Sequence, residues 1–196
     1  GLMLKKTTAI LGNNVPFNME ADSLNCIVLG EHVTPGKPEW DIFIKEIRKE
    51  MTLKAGQRCT GIRRIFVPAA RMEDVWKAIS ISLSQTVIGN PLNEKVRMGS
   101  LAGETQRSEV RSQIAKLLAT SQIIYGSLDS VEVVDADAVK GAFISPILLM
   151  NDKPHTSKEP HEVEAFGPVS TIMPYKNMED AIALSKLGRG SLVTTI

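Results

Sequence analysis

The chain is organised around residues 54–60, Lys54-Ala55-Gly56-Gln57-Arg58-Cys59-Thr60. Before this stretch, apolar side chains recur at helical spacing over residues 39–54, which predicts an amphipathic helix that ends at Gly56. After it, the β-branched and aromatic residues 63–67 are typical of a buried strand. The sequence therefore places Cys59 in a short helix-to-strand connection, the kind of rigidly held loop where catalytic groups concentrate.

Cys59 is a candidate nucleophile because of this placement. A cysteine attacks as the thiolate, and the positive charges of Arg58, Arg63 and Arg64 would favour that form. The C-terminal end of the preceding helix has partial negative charge and would oppose it. The structural alternative is that Cys59 is a small buried hydrophobe, which is the commoner role of a lone cysteine.

The composition is that of a globular chain large enough to bury a core. Of its 196 residues, 43% are hydrophobic and 23% are charged, and the net charge is +1. The basic residues form pairs and not a stripe, which argues against nucleic-acid binding, and no apolar run approaches the roughly 20 residues that span a bilayer. Two cysteines without CxxC spacing predict a reducing, cytoplasmic compartment and no disulfide framework. His155 and His161 lie too far from other ligand residues to predict a metal site.

Strands and helices alternate along the chain, which predicts an α/β fold with a mostly parallel sheet flanked by helices. The predicted strands cover residues 6–11, 24–29, 63–67, 122–125, 146–150, 170–174 and 191–196, with a further edge strand within residues 129–137. Beyond the helix before Cys59, predicted helices cover residues 72–83, 104–119 and 177–188. Cys26 lies within the second strand and Trp76 in an apolar helical stripe, so we interpret both as packing residues.

Two further groups of residues are candidates for a functional site. Glu20 precedes the apolar run of residues 24–29, and a carboxylate there would project into a cleft where desolvation makes it a stronger base. The alternative for Glu20 is an exposed acid in a turn. In residues 162–169, Glu164 and Phe166 precede a Gly-Pro turn, which would hold one polar and one aromatic contact surface in a rigid arrangement.

Two motifs together resemble the aldehyde dehydrogenase superfamily. Residues 56–59, Gly-Gln-Arg-Cys, are similar to its nucleophile motif, and residues 164–169, Glu-Ala-Phe-Gly-Pro-Val, are similar to its cofactor motif, in the same order. Residues 19–25, 54–60 and 162–170 more narrowly resemble the subgroup of phenylacetate degradation. In that subgroup the aldehyde dehydrogenase domain is joined to a hydratase-like domain and handles ring-opened coenzyme A thioesters. The similarity extends along essentially the whole chain.

The resemblance implies a role for each matching residue. Cys59 would be the nucleophile, which forms a thiohemiacetal with the aldehyde and, after hydride transfer to nicotinamide, a thioester. Glu20 would be the general base that activates water to hydrolyse that thioester. Glu164 would bind the nicotinamide ribose, and Phe166 would pack near the nicotinamide. The backbone N–H of Cys59 would donate to the developing oxyanion.

The match at Glu20 departs from most of the superfamily, which has Glu-Leu-Gly-Gly in this region. Alignment on Ser23 and Asn25 places Asn18, and not Glu20, opposite the usual glutamate. Only the narrower subgroup places its glutamate as this chain does, so the assignment of Glu20 as the base depends on that subgroup.

The resemblance also implies that the chain is part of a longer enzyme. Residues 1–25 would be the tail end of a nucleotide-binding domain, and residues 26–196 would be a catalytic domain that stops short of its last strands and its oligomerisation segment. NADP or NAD would be the cofactor, with NADP favoured, and the parent chain would form a homo-oligomer. We expect the present piece to be inactive alone.

The implied activity is NAD(P)-dependent oxidation of an aldehyde to a carboxylic acid, on a coenzyme A-linked semialdehyde from phenylacetate or other aromatic catabolism. One alternative within the superfamily is the related semialdehyde dehydrogenase of benzoyl-coenzyme A breakdown. A second is a structural or assembly domain that retains the fold without chemistry. A third is acyl transfer from a cysteine-bound thioester without redox chemistry, which would leave the motif of residues 164–169 unused.

Overall fold

A sheet of mostly parallel strands forms the centre of the computed structural model, which describes residues 2–19, 21–189 and 191–196. In chain order its strands are β1 Cys26–Val28, β2 Arg64–Pro68, β3 Gln122–Tyr125, β4 Ile147–Met150, β5 Val169–Tyr175 and β6 Thr194–Thr195. Their order across the sheet is β3-β4-β5-β2-β1-β6, and each neighbouring pair is parallel except β3 with β4. The predicted α/β class is therefore confirmed.

Two short helices precede β1, and the later helices of the described chain connect the strands and cover both faces of the sheet. They are α1 Leu2–Lys5, α2 Thr8–Gly12, α3 Pro38–Thr52, α4 Met72–Ser84, α5 Glu104–Leu117, α6 Glu159–Glu162 and α7 Met178–Lys186. The predicted helices before Cys59 and over residues 72–83, 104–119 and 177–188 correspond to α3, α4, α5 and α7. Asn177 caps α7, because its side chain accepts a hydrogen bond from the Asp180 amide.

Strand pleating divides the core between the two faces of the sheet. Successive side chains of a strand point to opposite faces, so Ile65 and Val67 of β2 pack with α3 and α4. Phe66 packs on the other face with Leu184 of α7, and Ile114 of α5 covers that same face over β4 and β5. A strand buried on both faces needs a continuous apolar run, which is why residues 65–67 show no polar alternation.

The central strand β2 also buries a charged residue, Arg64, which is fully shielded from solvent. Its guanidinium donates to the carbonyl oxygens of Leu184 at 3.0 Å and Ser185 at 3.0 Å, at the C-terminal end of α7. It also donates to Leu24 O at 2.9 Å and to Nδ1 of His161 at 3.1 Å. A cation at a helix C-terminus is favourable, since the last carbonyls lack partners within the helix.

His161 is held as a neutral imidazole by the two groups around it. Its Nε2 lies 2.9 Å from the carbonyl oxygen of Pro154, so this nitrogen must carry the proton and donate. Nδ1 is then free of a proton and accepts from Arg64. Burial, followed by the charge of Arg64, lowers the pKa of His161, although the bond to Pro154 acts in the opposite direction.

Two predicted strands are wrong. Residues 6–11 include the helix α2, because a short, mostly exposed apolar run cannot be assigned to strand or helix by periodicity alone. Within residues 129–137 the chain makes one isolated bridge, between Gly89 and Val134. The alternation there reflects Val131 and Val133, which pack against the core beside α5 without pairing to the sheet.

The two packing interpretations are confirmed: Cys26 is buried and Trp76 packs, half-buried, against the core. Over the described residues, no helix has both the length and the apolar character needed to cross a membrane.

We predict that acid destabilises the protein through His161. Because the folded pKa is lowered, the unfolded chain takes up a proton first as pH falls through about 6.5, and the free energy of unfolding drops by up to about 1.4 kcal/mol per pH unit below that value. His161→Gln offers a donor and an acceptor but does not titrate, so it should lose this slope. Denaturant unfolding of the full chain at pH 7.5, 6.5 and 5.5 measures it.

His32→Gln is the matched control, because His32 is exposed. It should retain the slope of the parent chain. Equal slopes in the parent and in His161→Gln would show that the proposed protonation of His161 does not affect stability.

Candidate active site

Cys59 lies exposed in a tight turn at the amino end of β2. The turn is closed by a hydrogen bond of 3.0 Å from the Gly61 amide to the Arg58 carbonyl oxygen. The other two motifs singled out in the sequence also precede strands, residues 23–25 before β1 and residues 164–167 before β5. Because β5, β2 and β1 are parallel neighbours, their amino ends lie at one edge of the sheet, and the three motifs converge there.

Asn25 fixes the turn that contains Cys59. Its side-chain nitrogen donates to the carbonyl oxygens of Cys59 at 2.8 Å and Gly61 at 3.0 Å. Its side-chain oxygen accepts from the amides of Leu192 and Val193, both at 2.9 Å. Sequence reasoning did not assign this role to Asn25, although an amide within the apolar run of residues 24–29 is a signal that a buried polar contact exists.

The backbone before Cys59 is strained. Lys54, Ala55 and Gly56 have φ values of 54°, 51° and 70°, in the left-handed region that only glycine adopts without cost. Each non-glycine residue there costs about 1–2 kcal/mol. Such strain persists only where surrounding contacts impose it, and it concentrates at functional loops.

Gly56 provides one of those contacts, against the loop before β5. A Cβ atom at Gly56 would overlap the carbonyl oxygen and carbon of Gly167. The two backbones therefore touch at a point where neither a side chain nor a right-handed conformation fits. This brings the nucleophile motif and the second motif, residues 164–169, into direct contact.

Arg63 joins the same two loops through its side chain, which is 4% exposed. Its guanidinium donates to Gly56 O at 2.9 Å and to Arg58 O at 3.3 Å on the Cys59 side. On the other side it donates to Gly167 O at 2.8 Å and to Oε1 of Glu164 at 3.3 Å. Burial lowers the pKa of Arg63, and the charge of Glu164 and its hydrogen bond oppose that shift.

The candidate cofactor residues lie on the loop that Arg63 holds. Glu164 has a side chain only 8% exposed, and its second oxygen accepts from the Ser23 amide at 3.1 Å. Phe166 is 40% exposed, with the Arg63 guanidinium carbon 5.4 Å from its ring centroid. The structure thus gathers Cys59, Glu164 and Phe166 in one region, while the binding roles of Glu164 and Phe166 stay predictions.

The three arginines expected to act on Cys59 are held by other groups. Arg58 donates to Glu50 at 2.6 Å, Arg63 pairs with Glu164, and Arg64 faces the end of α7. Their positive charges are therefore directed at these partners. Arg63 also donates to the carbonyl oxygens of Gly56 and Arg58, and so helps to position the turn that bears Cys59.

An open groove of about 790 Å³ borders the site. Gln57, two residues before Cys59, lines it together with Ser100, Gln106 and the exposed ring of Phe166. Gln57 is itself fixed, because its Oε1 accepts from the Ala102 amide at 2.8 Å. The groove therefore presents an aromatic face together with amide, hydroxyl and amine groups beside the loop that bears Cys59.

The remaining assignments made from sequence are not located at this site. Glu20 lies outside the described residues, and its role as general base stays a prediction. His155 and His161 lie elsewhere, His155 beside Asp180 on the surface and His161 behind β2. Among the described residues, no three His, Cys, Asp or Glu side chains are grouped as a metal site.

Comparison with known proteins gives one family. A family model described as "Aldehyde dehydrogenase family" matches residues 33–195. The 3,4-dehydroadipyl-CoA semialdehyde dehydrogenase of Aromatoleum evansii is 42% identical over 95% of this chain and 36% of that protein. Protein MaoC of Klebsiella aerogenes is 37% identical over 50% of this chain and 28% of that protein. The chain spans roughly a third of the length of these relatives.

Solved structures share the fold. The aldehyde dehydrogenase of Mycobacterium tuberculosis complexed with NAD+ superposes with a TM-score of 0.67 and 26% identity, over 84% of this chain and 32% of that chain. A double mutant of betaine aldehyde dehydrogenase from Staphylococcus aureus, in complex with NAD+, gives a TM-score of 0.70 at 20% identity, over 84% of this chain and 31% of that chain.

We predict that Gly56→Ala destabilises the full chain by about 3 kcal/mol or more, because it adds a backbone overlap with Gly167 to the cost of a left-handed alanine. Gly36→Ala is the matched control, since Gly36 also has a positive φ, 88°, but open space around its Cβ position. It should cost only about 1 kcal/mol. Chemical denaturation measures both, and equal costs would contradict a close approach at Gly56.

Proposed function

Because this chain belongs to the aldehyde dehydrogenase family, we propose that it is the catalytic part of an enzyme that oxidises an aldehyde to a carboxylic acid with NAD(P)+. The single observation that supports this most is the position of Cys59. It is exposed in a turn fixed by Asn25 and Arg63, directly beside the loop that presents Glu164 and Phe166. A nucleophile held rigidly against a cofactor-binding loop is what covalent aldehyde oxidation needs.

In this proposal Cys59 does the covalent chemistry. Its thiolate attacks the carbonyl carbon of the aldehyde, and the backbone N–H of Cys59 donates to the oxygen that becomes negatively charged. The bound nicotinamide supplies a hydride acceptor. Loss of hydride leaves a thioester on Cys59, which water then hydrolyses to release the acid and the thiol.

Other residues of the chain would activate the hydrolytic water and bind the cofactor. Glu20 takes a proton from the hydrolytic water as general base. Glu164 accepts hydrogen bonds from the ribose, and Phe166 packs beside the nicotinamide. Asn25 and Arg63 would limit the positions that the sulfur of Cys59 can take relative to that ring, because they bind the main chain on both sides of Cys59.

For the substrate we propose a coenzyme A-linked semialdehyde from aromatic catabolism. The relative in Aromatoleum evansii, by its name, acts on 3,4-dehydroadipyl-CoA semialdehyde, and the subgroup that the motifs resemble belongs to phenylacetate degradation. NADP is the favoured cofactor, with NAD as the alternative. The parent chain would be a cytoplasmic homo-oligomer that also contains a hydratase-like domain.

We also propose the division of the chain that the resemblance implies, with residues 1–25 at the tail of a nucleotide-binding domain and residues 26–196 in the catalytic domain. The first strand of the sheet begins at Cys26, which supports a boundary at that place.

Two other functions make different predictions. A structural domain would need no reactive thiol, and acyl transfer without redox chemistry would proceed without nicotinamide.

We predict that the intact parent enzyme, of which these 196 residues would be one part, reduces NADP or NAD when given a semialdehyde, and that Cys59→Ala lowers kcat by at least about 10⁴-fold because no covalent adduct forms. Glu20→Gln should lower steady turnover by about 10²–10⁴-fold. It should still show a burst of one reduced cofactor per site, because hydride transfer precedes hydrolysis. Absorbance of the reduced cofactor, with free and coenzyme A-linked semialdehydes including 3,4-dehydroadipyl-CoA semialdehyde, measures both.

Cys26→Ala is the control, because Cys26 is buried in the sheet, and it should retain turnover. A Cys59→Ala variant that oxidises aldehyde as fast as the parent would refute the mechanism. Product formation without nicotinamide would favour acyl transfer, and the better of the two cofactors would distinguish NADP from NAD.

A further inference from the structure

The Arg63 side chain is the strongest connection between the two halves of the site. Its Nη2 donates to Gly56 O and Arg58 O, the carbonyls that precede Cys59, while its Nη1 donates to Gly167 O. Its Nε pairs with Glu164. One rigid, planar group therefore binds the turn of the nucleophile and the loop of the proposed cofactor residues at the same time.

The contact continues from Arg63 to the exposed surface of the loop. The guanidinium lies over the ring of Phe166, with 5.4 Å between the guanidinium carbon and the ring centroid. Glu164 is fixed from its other side by the Ser23 amide. A ligand that moves Glu164 must therefore either move Arg63 or break the bond between them, and Arg63 in turn is bonded to the main chain beside Cys59.

We propose that Arg63 is a positioning residue that couples occupancy of the cofactor loop to the position of Cys59. The proposal rests on the proposed function in that it takes residues 164–166 as the place where the nicotinamide cofactor binds. When the cofactor contacts Phe166 and Glu164, Arg63 transmits the change to the carbonyls of Gly56 and Arg58. The thiol therefore reaches its reactive position when a hydride acceptor is present.

A lysine cannot replace Arg63 in this role. The guanidinium is a fork whose separate nitrogens reach separate acceptors, and a lysine ammonium is a single point charge on a flexible stem. Lysine at position 63 keeps the positive charge opposite Glu164 but cannot bridge Gly56 O and Gly167 O together. Arg63→Lys therefore removes the bridge and retains the charge, which separates positioning from simple charge compensation.

The test measures the rate at which iodoacetamide alkylates Cys59 in the intact parent enzyme, with and without saturating NADP or NAD. Mass spectrometry of the Cys59 peptide gives the rate. Saturation is established beforehand by fluorescence titration for each variant. In the parent we expect the cofactor to change the rate about fivefold or more. In Arg63→Lys we expect a change of less than about twofold at saturation, with kcat lowered by about 10–100-fold because the thiol is misplaced.

Buried Cys26 is an internal reference for folding, because it becomes reactive only if the sheet opens. The matched control is Arg71→Lys, the same substitution at a half-exposed arginine that pairs with Asp74 at 3.6 Å. It should behave like the parent. If Arg63→Lys does not fold, Glu164→Gln removes the charge and leaves one side-chain oxygen, which cannot accept from both Arg63 and the Ser23 amide, so this variant must still reduce the cofactor effect at least twofold.

A parent whose Cys59 reactivity does not respond to bound cofactor, or a folded Arg63→Lys with the full response, would overturn the proposal. So would a Glu164→Gln with the full response when Arg63→Lys is unfolded. The proposed function fails differently: if a cofactor response that depends on Arg63 is present without oxidation of any aldehyde, the coupling stands and the dehydrogenase function does not. If the enzyme oxidises an aldehyde but the response of Cys59 to the cofactor does not depend on Arg63, the dehydrogenase function stands and the coupling does not.

Discussion

A buried positive charge at the amino end of β2 is the constraint on which the candidate site depends. Taking the guanidinium of Arg63 out of water is unfavourable by several kcal/mol unless charge and hydrogen bonds replace the lost hydration. Glu164 supplies the charge, and carbonyl oxygens from the loops on either side supply the hydrogen bonds. These acceptors can surround Arg63 only if both loops are in place, so the folded position of each loop depends on the other.

The adjacent residue shows why the register of β2 matters as much as its hydrophobicity. Arg63 enters the site at the end of the strand, whereas Arg64 lies under α7 and binds the carbonyls at the end of that helix. Successive side chains of a strand alternate between faces, so a shift of one residue would exchange these two environments. The pairs Cys26 with Arg64 and Arg64 with Thr171 fix the register on both sides.

The strained stretch before Cys59 depends on the same contacts. Left-handed Lys54 and Ala55 are unfavourable in isolation, yet Ala55 is buried in the core below α5 and Gly56 touches Gly167. The packing of distant segments therefore supplies the free energy that holds the turn in this shape. A turn imposed by its surroundings moves only when those surroundings move, which suits a nucleophile that must meet a bound ring at a fixed distance.

The sequence by itself determined the elements whose signals are local. Helical spacing identified α3, α4, α5 and α7, apolar β-branched runs identified the buried strands, and two motifs identified Cys59 and the loop of Glu164. Local signals failed at residues 6–11, where a short apolar run suits either structure. They also failed at residues 129–137, where alternation came from packing without strand pairing.

Only the tertiary structure decided how these parts meet. The bond between Arg63 and Glu164 joins residues 101 positions apart, and Asn25 reaches the Cys59 carbonyl across 34 positions. Periodicity reports which face of an element is buried but not which strands are neighbours, and the order β5-β2-β1 brings the three motifs to one edge. Cys59, Glu164 and Phe166 could be proposed as site residues from their motifs, whereas their support is made of contacts that exist only after the sheet has assembled.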